Sequence, residues 1–226
     1  MTRTYVPVAN TMSRRLFLAG LATSLAACQQ TVSNTPQPET ALPRFAELYP
    51  PLPNEPYPIP GVPRGAIPAQ YVRQQVDYAT AEPPGTIVVD PGAKYLYLVQ
   101  TGGTAMRYGV GVGREGFGWN GAASILMKRE WPRWTPPAEM IVRQPELEQY
   151  RNGMEPGLQN PLGARALYLF QGGKDTLYRL HGTNEPRSIG SNVSSGCVRL
   201  VNQDIIDLYE RTPRGTRVVV LPTVMA

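Results

Sequence analysis

The sequence predicts a mostly β domain, its sheet covered on both faces as in a sandwich, behind an extended proline-rich segment. Three observations lead there. Short apolar runs recur between turn formers at 86–90, 94–100, 105–113, 122–130, 164–170, 176–181 and 216–221, the rhythm of strands rather than helices. The run 94–100 is apolar on both faces, Tyr95, Tyr97 and Val99 against Leu96 and Leu98, which suits a strand with cover on either side. Of the 24 prolines, eleven fall between Gln29 and Pro68, where neither a helix nor a central strand can run. A length of 226 residues suffices for one ordinary domain with extensions.

Residues 1–27 read as an address. Ser13-Arg14-Arg15-Leu16-Phe17-Leu18 resembles a twin-arginine export signal, and the apolar run 16–27 that follows is shorter than the about 20 residues a spanning helix needs. Met12, just ahead, offers a second translation start. Leu25-Ala26-Ala27-Cys28 resembles a bacterial lipobox, in which Cys28 is lipidated and holds the protein to a membrane. Ordinary cleavage at the same small residues is the alternative. A disulfide between Cys28 and Cys197 ranks last, because it would consume the thiol discussed below. The leader holds Arg3, Arg14 and Arg15 and no acid, so three of the five net positive charges belong to it. The small remainder makes no case for nucleic-acid binding.

Residues 28–68 read as a tether in extended polyproline conformation. The competing reading wraps part of it on the domain through Phe45, Leu48, Tyr49 and Tyr57. The folded domain is placed at 69–226. Its opening, 69–78, is compatible with a short helix or a strand. Asp90-Pro91-Gly92 and Thr101-Gly102-Gly103-Thr104 are turns that make the first three strands a meander. Trp131-Pro132-Arg133-Trp134 and Pro136-Pro137 break regular structure, with the two tryptophans either lining a groove or packing as anchors. A short helix is expected at 145–151 and another from Asn202, read as an N-cap, with Ile205, Leu208 and Tyr209 on one face.

The chemistry concentrates in 181–200, HGTNEPRSIGSNVSSGCVRL. His181 is the only histidine, and Cys197 follows sixteen positions later. A thiol with an ordinary pKa near ~8.5 is mostly protonated at neutral pH, and a paired imidazole is the usual activator. Gly196, without a Cβ, lets a carbonyl approach the Gly196 and Cys197 amides, candidates for an oxyanion hole. The plain alternative is a structural histidine and a buried, inert cysteine. Against it stand the glycines beside both residues and the polar stretch 183–195, which suits a loop folded around a site. One histidine and two cysteines would leave a zinc site mostly to carboxylates, so no metal and no cofactor is expected.

His181-Gly182-Thr183-Asn184 and Ser194-Ser195-Gly196-Cys197-Val198-Arg199 together resemble the paired motif of the YkuD-type L,D-transpeptidases, the ErfK/YbiS-like branch. His before Cys separates them from papain-like enzymes. Ser195 stands where many members carry a second histidine. Residues 114–119 and Asn160-Pro161-Leu162-Gly163 also resemble family segments, and the likeness covers roughly 84–221. It implies a sandwich of mixed sheets capped by a helix. It implies that Cys197 attacks the bond between the diamino acid and the D-alanine of a peptidoglycan stem tetrapeptide, with His181 as base, and passes the acyl group to an amine. Arg199, Ser195 and Gly182 become candidate substrate contacts, Arg199 either clamping a stem carboxylate or ordering the loop. Donor and acceptor stem peptides are the implied partners, with a wall-anchored protein as another acceptor. Carboxypeptidase activity, protein anchoring and a non-catalytic wall-binding lipoprotein are the alternatives, all in the cell envelope or periplasm.

Overall fold

The computed structural model describes residues 44–113, 119–194 and 196–223. After α1 (Phe45–Leu48), β1 (Gln74–Asp77), β2 (Ile87–Asp90), β3 (Tyr95–Val99) and β4 (Thr104–Gly109) form one antiparallel set, with β1 outside β4. The opening stretch 69–78 is both things in turn, a 3-10 turn at Ala69–Tyr71 and then β1. The two-residue β5 (Val112–Gly113) leads to β6 (Gly121–Glu130), then α2 (Ala138–Arg143) and a 3-10 turn at Pro145–Tyr150. β7 (Arg165–Gln171) and β8 (Lys174–His181) complete an antiparallel meander with β6. β9 (Asn192–Ser194) pairs with β5 in a small parallel sheet, and β10 (Val198–Arg199) runs parallel to β8. The chain ends through α3 (Asn202–Arg211) and β11 (Arg217–Val220).

β11 joins the halves. It is parallel to β2 and antiparallel to β6, giving one nine-stranded mixed sheet in the order β1-β4-β3-β2-β11-β6-β7-β8-β10. A Val-rich strand with Val218 and Val220 buried is what such a central position demands. The sheet also curls, so that the segment after β4 meets β10. Gly111, two residues beyond β4, exchanges both main-chain hydrogen bonds with Arg199 of β10, at 2.9 and 2.8 Å. A single sheet folded over therefore supplies both layers around the core of Val89, Leu96, Leu167, Leu180 and Val218.

β3 shows how its two apolar faces are used. Leu96 and Leu98 enter the core, while Tyr95 and Tyr97 stay half-buried on the outer face. There Tyr78 stacks on Tyr97 at 4.3 Å and the Arg107 guanidinium lies 4.4 Å over Tyr95, so rings rather than a further layer form the cover. Ile205 and Leu208 of α3 are fully buried in the core and Tyr209 packs at its edge. Asn202 is not the N-cap. Val201 takes that place, and the Asn202 side chain turns away to accept a hydrogen bond from Ala164 N at 2.9 Å.

The boundary placed at residue 69 is one of composition, not packing. Residues 44–68 lie against the domain, and only the part before residue 44 is outside the described residues. Tyr49 is 2% exposed, its hydroxyl accepting from Arg73 N at 2.8 Å and donating to Asp204 Oδ2 at 3.3 Å. Gln203 donates to the carbonyls of Pro50 and Pro60. Glu55 forms a two-pronged ion pair with Arg165, 2.7 and 2.9 Å, and accepts from the Trp131 indole. Proline removes a donor but keeps its carbonyl acceptor, so an extended segment can still be bound through main-chain oxygens. Trp131 is thereby a packing anchor, clustered with Ile59, Ala164 and Ile206, while Trp134 pairs its backbone with Met154.

Among the described residues, no helix is long and apolar enough to cross a membrane.

Candidate active site

β8 delivers His181 as its last residue, between β7 and β10. In the parallel ladder Arg199 stands opposite His181 and Val198 opposite Leu180. Facing residues share a side of the sheet, and alternate residues return to it. Arg199 and His181 therefore share one face, and Cys197, just before β10, meets the backbone N–H of Arg179. The sixteen-residue separation in sequence thus closes across two adjacent strands, with Cys197 one residue before β10.

His181 is 5% exposed, and its Nδ1 lies 2.6 Å from the carbonyl oxygen of Gly182. A carbonyl can only accept, so Nδ1 carries the proton and Nε2 keeps its lone pair, the form a general base needs. Burial and the Arg199 guanidinium hold the imidazole down at about 4, Arg179 adding to this and the Gly182 and Pro161 carbonyls opposing it. The ring is neutral at any pH near 7.

Cys197 is half-buried behind Gly196, whose φ of 126° lies where glycine is favoured. Its Sγ lies 3.8 Å from the Leu177 carbonyl. That carbonyl belongs to an irregular part of β8. The β7–β8 register shifts between Tyr168 and Phe170, and Leu177 sits at φ 59° with its amide bonded to Asp175 Oδ1 at 2.9 Å. Burial pushes the thiol above its ordinary value, while the Arg179 backbone N–H and the guanidiniums of Arg179 and Arg199 favour the thiolate. The resting site thus holds a neutral thiol and a neutral imidazole, each acted on by the guanidiniums of Arg179 and Arg199.

Arg179, Asp175, Leu177 and the Pro161 carbonyl were not among the expected site groups. Arg179 was legible in principle, because it lies two residues before His181 on the same strand face. Its guanidinium forms a bidentate pair with Asp175, 2.6 and 2.7 Å, and lies 4.3 Å over Tyr168. Gly182, expected as a substrate contact, also supplies the carbonyl that faces the imidazole. Arg199 pairs with Glu185 at 2.9 Å. Ser195, Cys28, Arg14, Arg15 and 114–118 lie outside the described residues.

The family model of the YkuD L,D-transpeptidase catalytic domain matches residues 84–220. Probable L,D-transpeptidase YbiS of Escherichia coli K12 is 37% identical over 142 residues, covering 58% of this chain and 43% of that protein. Putative L,D-transpeptidase YkuD of Bacillus subtilis 168 is 35% identical over 137 residues, covering 61% and 66%. A solved chain from Brucella melitensis, described as a probable carnitine operon oxidoreductase, is 52% identical over 69% of this chain and 97% of that one, with a TM-score of 0.48. The chain spans less than half the length of the E. coli relative. Because the matched residues make up more than half of the sequence and enclose both His181 and Cys197, the chain belongs to the YkuD-type L,D-transpeptidase catalytic-domain family.

Proposed function

We propose that the chain is a peptidoglycan L,D-transpeptidase with Cys197 as nucleophile and His181 as base. The observation that carries this reading is the orientation of His181, whose Nδ1–H is held by the Gly182 carbonyl in a ladder that sets Arg199, two residues after Cys197, opposite it. The neutral resting pair sets the order of events. Sγ attacks the carbonyl of the diamino acid as its proton passes to Nε2, forming the C–S bond, and the Gly196 and Cys197 amides hold the oxyanion. The imidazolium, favoured by the Gly182 and Pro161 carbonyls, then protonates the departing amine of D-alanine as the C–N bond breaks. An acceptor amine attacks the thioester, gives its proton to the imidazole, and the thiol is regenerated. Arg199, paired with Glu185, orders the loop and lends its charge to the anionic stages.

The test is incubation of the purified chain with tetrapeptide muropeptides and mass spectrometry of the products. Release of D-alanine together with cross-linked dimers is expected. Folded protein that releases no D-alanine would overturn the reading, and release without dimers would reassign the acceptor to water.

The same reading places the protein in the envelope. Arg14-Arg15 supports twin-arginine export, and Leu25-Ala26-Ala27-Cys28 supports lipidation at Cys28. Membrane-fractionated protein should carry a lipid mass that disappears in Cys28→Ala. An unchanged mass and distribution in that variant would show that export ends in ordinary cleavage.

A further inference from the structure

Gly182 does more than close a turn, since its carbonyl decides which imidazole nitrogen bears the proton. Its amide donates to the Arg165 carbonyl at 3.0 Å. Its Cα faces a third group, the Asn202 carboxamide oxygen. A Cβ built on Gly182 would be driven into Asn202 Oδ1, and so would a Cβ on Gly163, which holds φ 63°. A Cβ on Gly163 would also meet the Gly182 carbonyl carbon and Thr183 N, both at 2.7 Å. Gly163, Gly182 and the Asn202 side chain are therefore packed together at backbone distance, and Oδ1 is also the acceptor for Ala164 N.

The turn carrying Gly163 is itself held. Asn160 is fully buried, donates to the carbonyls of Pro132, Met154 and Glu155, and accepts from Leu162 N at 2.9 Å. This turn brings up the Pro161 carbonyl that acts on the imidazole. Asn202 lies against both backbone segments that supply oxygen to His181, and it follows Cys197 by five residues at the start of α3. One short stretch thus carries both the thiol and the prop behind its partner's orienter.

We propose that Asn202 is a positioning residue for the His181 imidazole, acting through the Gly182 and 160–163 backbone. Its small, neutral oxygen fits where a Cβ cannot, supplies the acceptor that Ala164 N needs, and adds no charge to a ring already flanked by Arg179 and Arg199. Displacing Gly182 frees the ring to turn or change tautomer, and small misplacements of a reacting group cost rate steeply.

The inference rests on the transpeptidase reading for its rate consequence, but its direct test does not. His181 is the only histidine, so in an untagged, 15N-labelled chain one imidazole reports its own tautomer and pKa by NMR. The wild type is expected as the Nδ1–H tautomer. Asn202→Ala should mix the tautomers and lower kcat for D-alanine release about 10- to 100-fold, with KM within about twofold. Asn202→Asp keeps the oxygen and should keep the tautomer, while its charge raises the imidazole pKa by about one unit. A purely structural Asn202 would lower the melting temperature of Asn202→Ala yet leave its tautomer and its rate per folded molecule unchanged, and that result would overturn the proposal. Should Asn202→Ala not fold, an unshifted imidazole pKa in Asn202→Asp would overturn it equally. A chain that releases no D-alanine but shows these NMR changes would sink the transpeptidase reading alone.

Discussion

Cys197→Ala is expected to abolish D-alanine release and to eliminate covalent labelling by a carbapenem. The wild type should gain one drug mass per chain on the peptide bearing Cys197, because a strained β-lactam carbonyl is an acyl donor that a cysteine nucleophile opens. Cys28→Ala should label like the wild type, since the lipobox cysteine is no part of the site. Cys197→Ser is the finer control. A hydroxyl has a far higher pKa than a thiol and is a poorer nucleophile, so an intact His181 beside it should rescue little. The loss should be nearly complete in both Cys197 variants, because Arg179, Arg199 and the amides can only stabilise charge that a nucleophile has created. Intact-mass spectrometry followed by peptide mapping reads all of these outcomes. A folded, reduced wild-type chain that takes up no drug and releases no D-alanine would leave the wall-binding alternative standing.

His181→Ala should slow acylation by on the order of 10²–10⁴, the usual worth of a positioned general base. The chain holds no second histidine to substitute for it. Near-normal turnover in this variant would show that another group activates Cys197. With the imidazole held at about 4, wild-type acylation should pass through pH 6.5, an ordinary histidine pKa, without a break. A stability effect follows as well. The folded pKa of His181 lies below the unfolded value near ~6.5, so its contribution is complete above that pH and is lost as pH falls toward 4. Asp204 behaves oppositely. Burial pushes its carboxyl up to about 7 against the pull of Arg73, so its contribution is complete below the ordinary carboxylate range and lost as pH rises through 7. Between roughly pH 4 and 6.5 the two slopes offset each other, each up to about 1.4 kcal/mol per pH unit. His181→Ala should therefore gain stability as pH falls across this window, and Asp204→Asn should lose it. Urea unfolding at three pH values checks both signs, and parallel wild-type and variant curves would refute the assignment.

The sequence by itself determined the seven longer strand runs, the first meander and the candidate groups at both ends of 181–200. Each rests on local physics: alternation within a strand, turn formers between strands, and a lone imidazole and thiol flanked by glycine. It also carried the family likeness, since that likeness lives in contiguous motifs. Only the tertiary structure decided what depends on residues distant in sequence. β11 occupies the middle of the sheet because β2 and β6 each leave an edge that a buried valine strand can fill, and no local pattern encodes that choice. Residues 44–68 bind the domain because Tyr49, Glu55 and Ile59 find partners on α3, β7 and the Trp131 cluster, although their composition alone reads as a tether. Asn202, typed as a helix cap, instead holds backbone more than thirty residues away. The orienter of His181 was the least legible of all, because it is a main-chain carbonyl, and every residue type supplies one. Its direction is set by packing between chain segments, and packing is a property of the folded molecule alone.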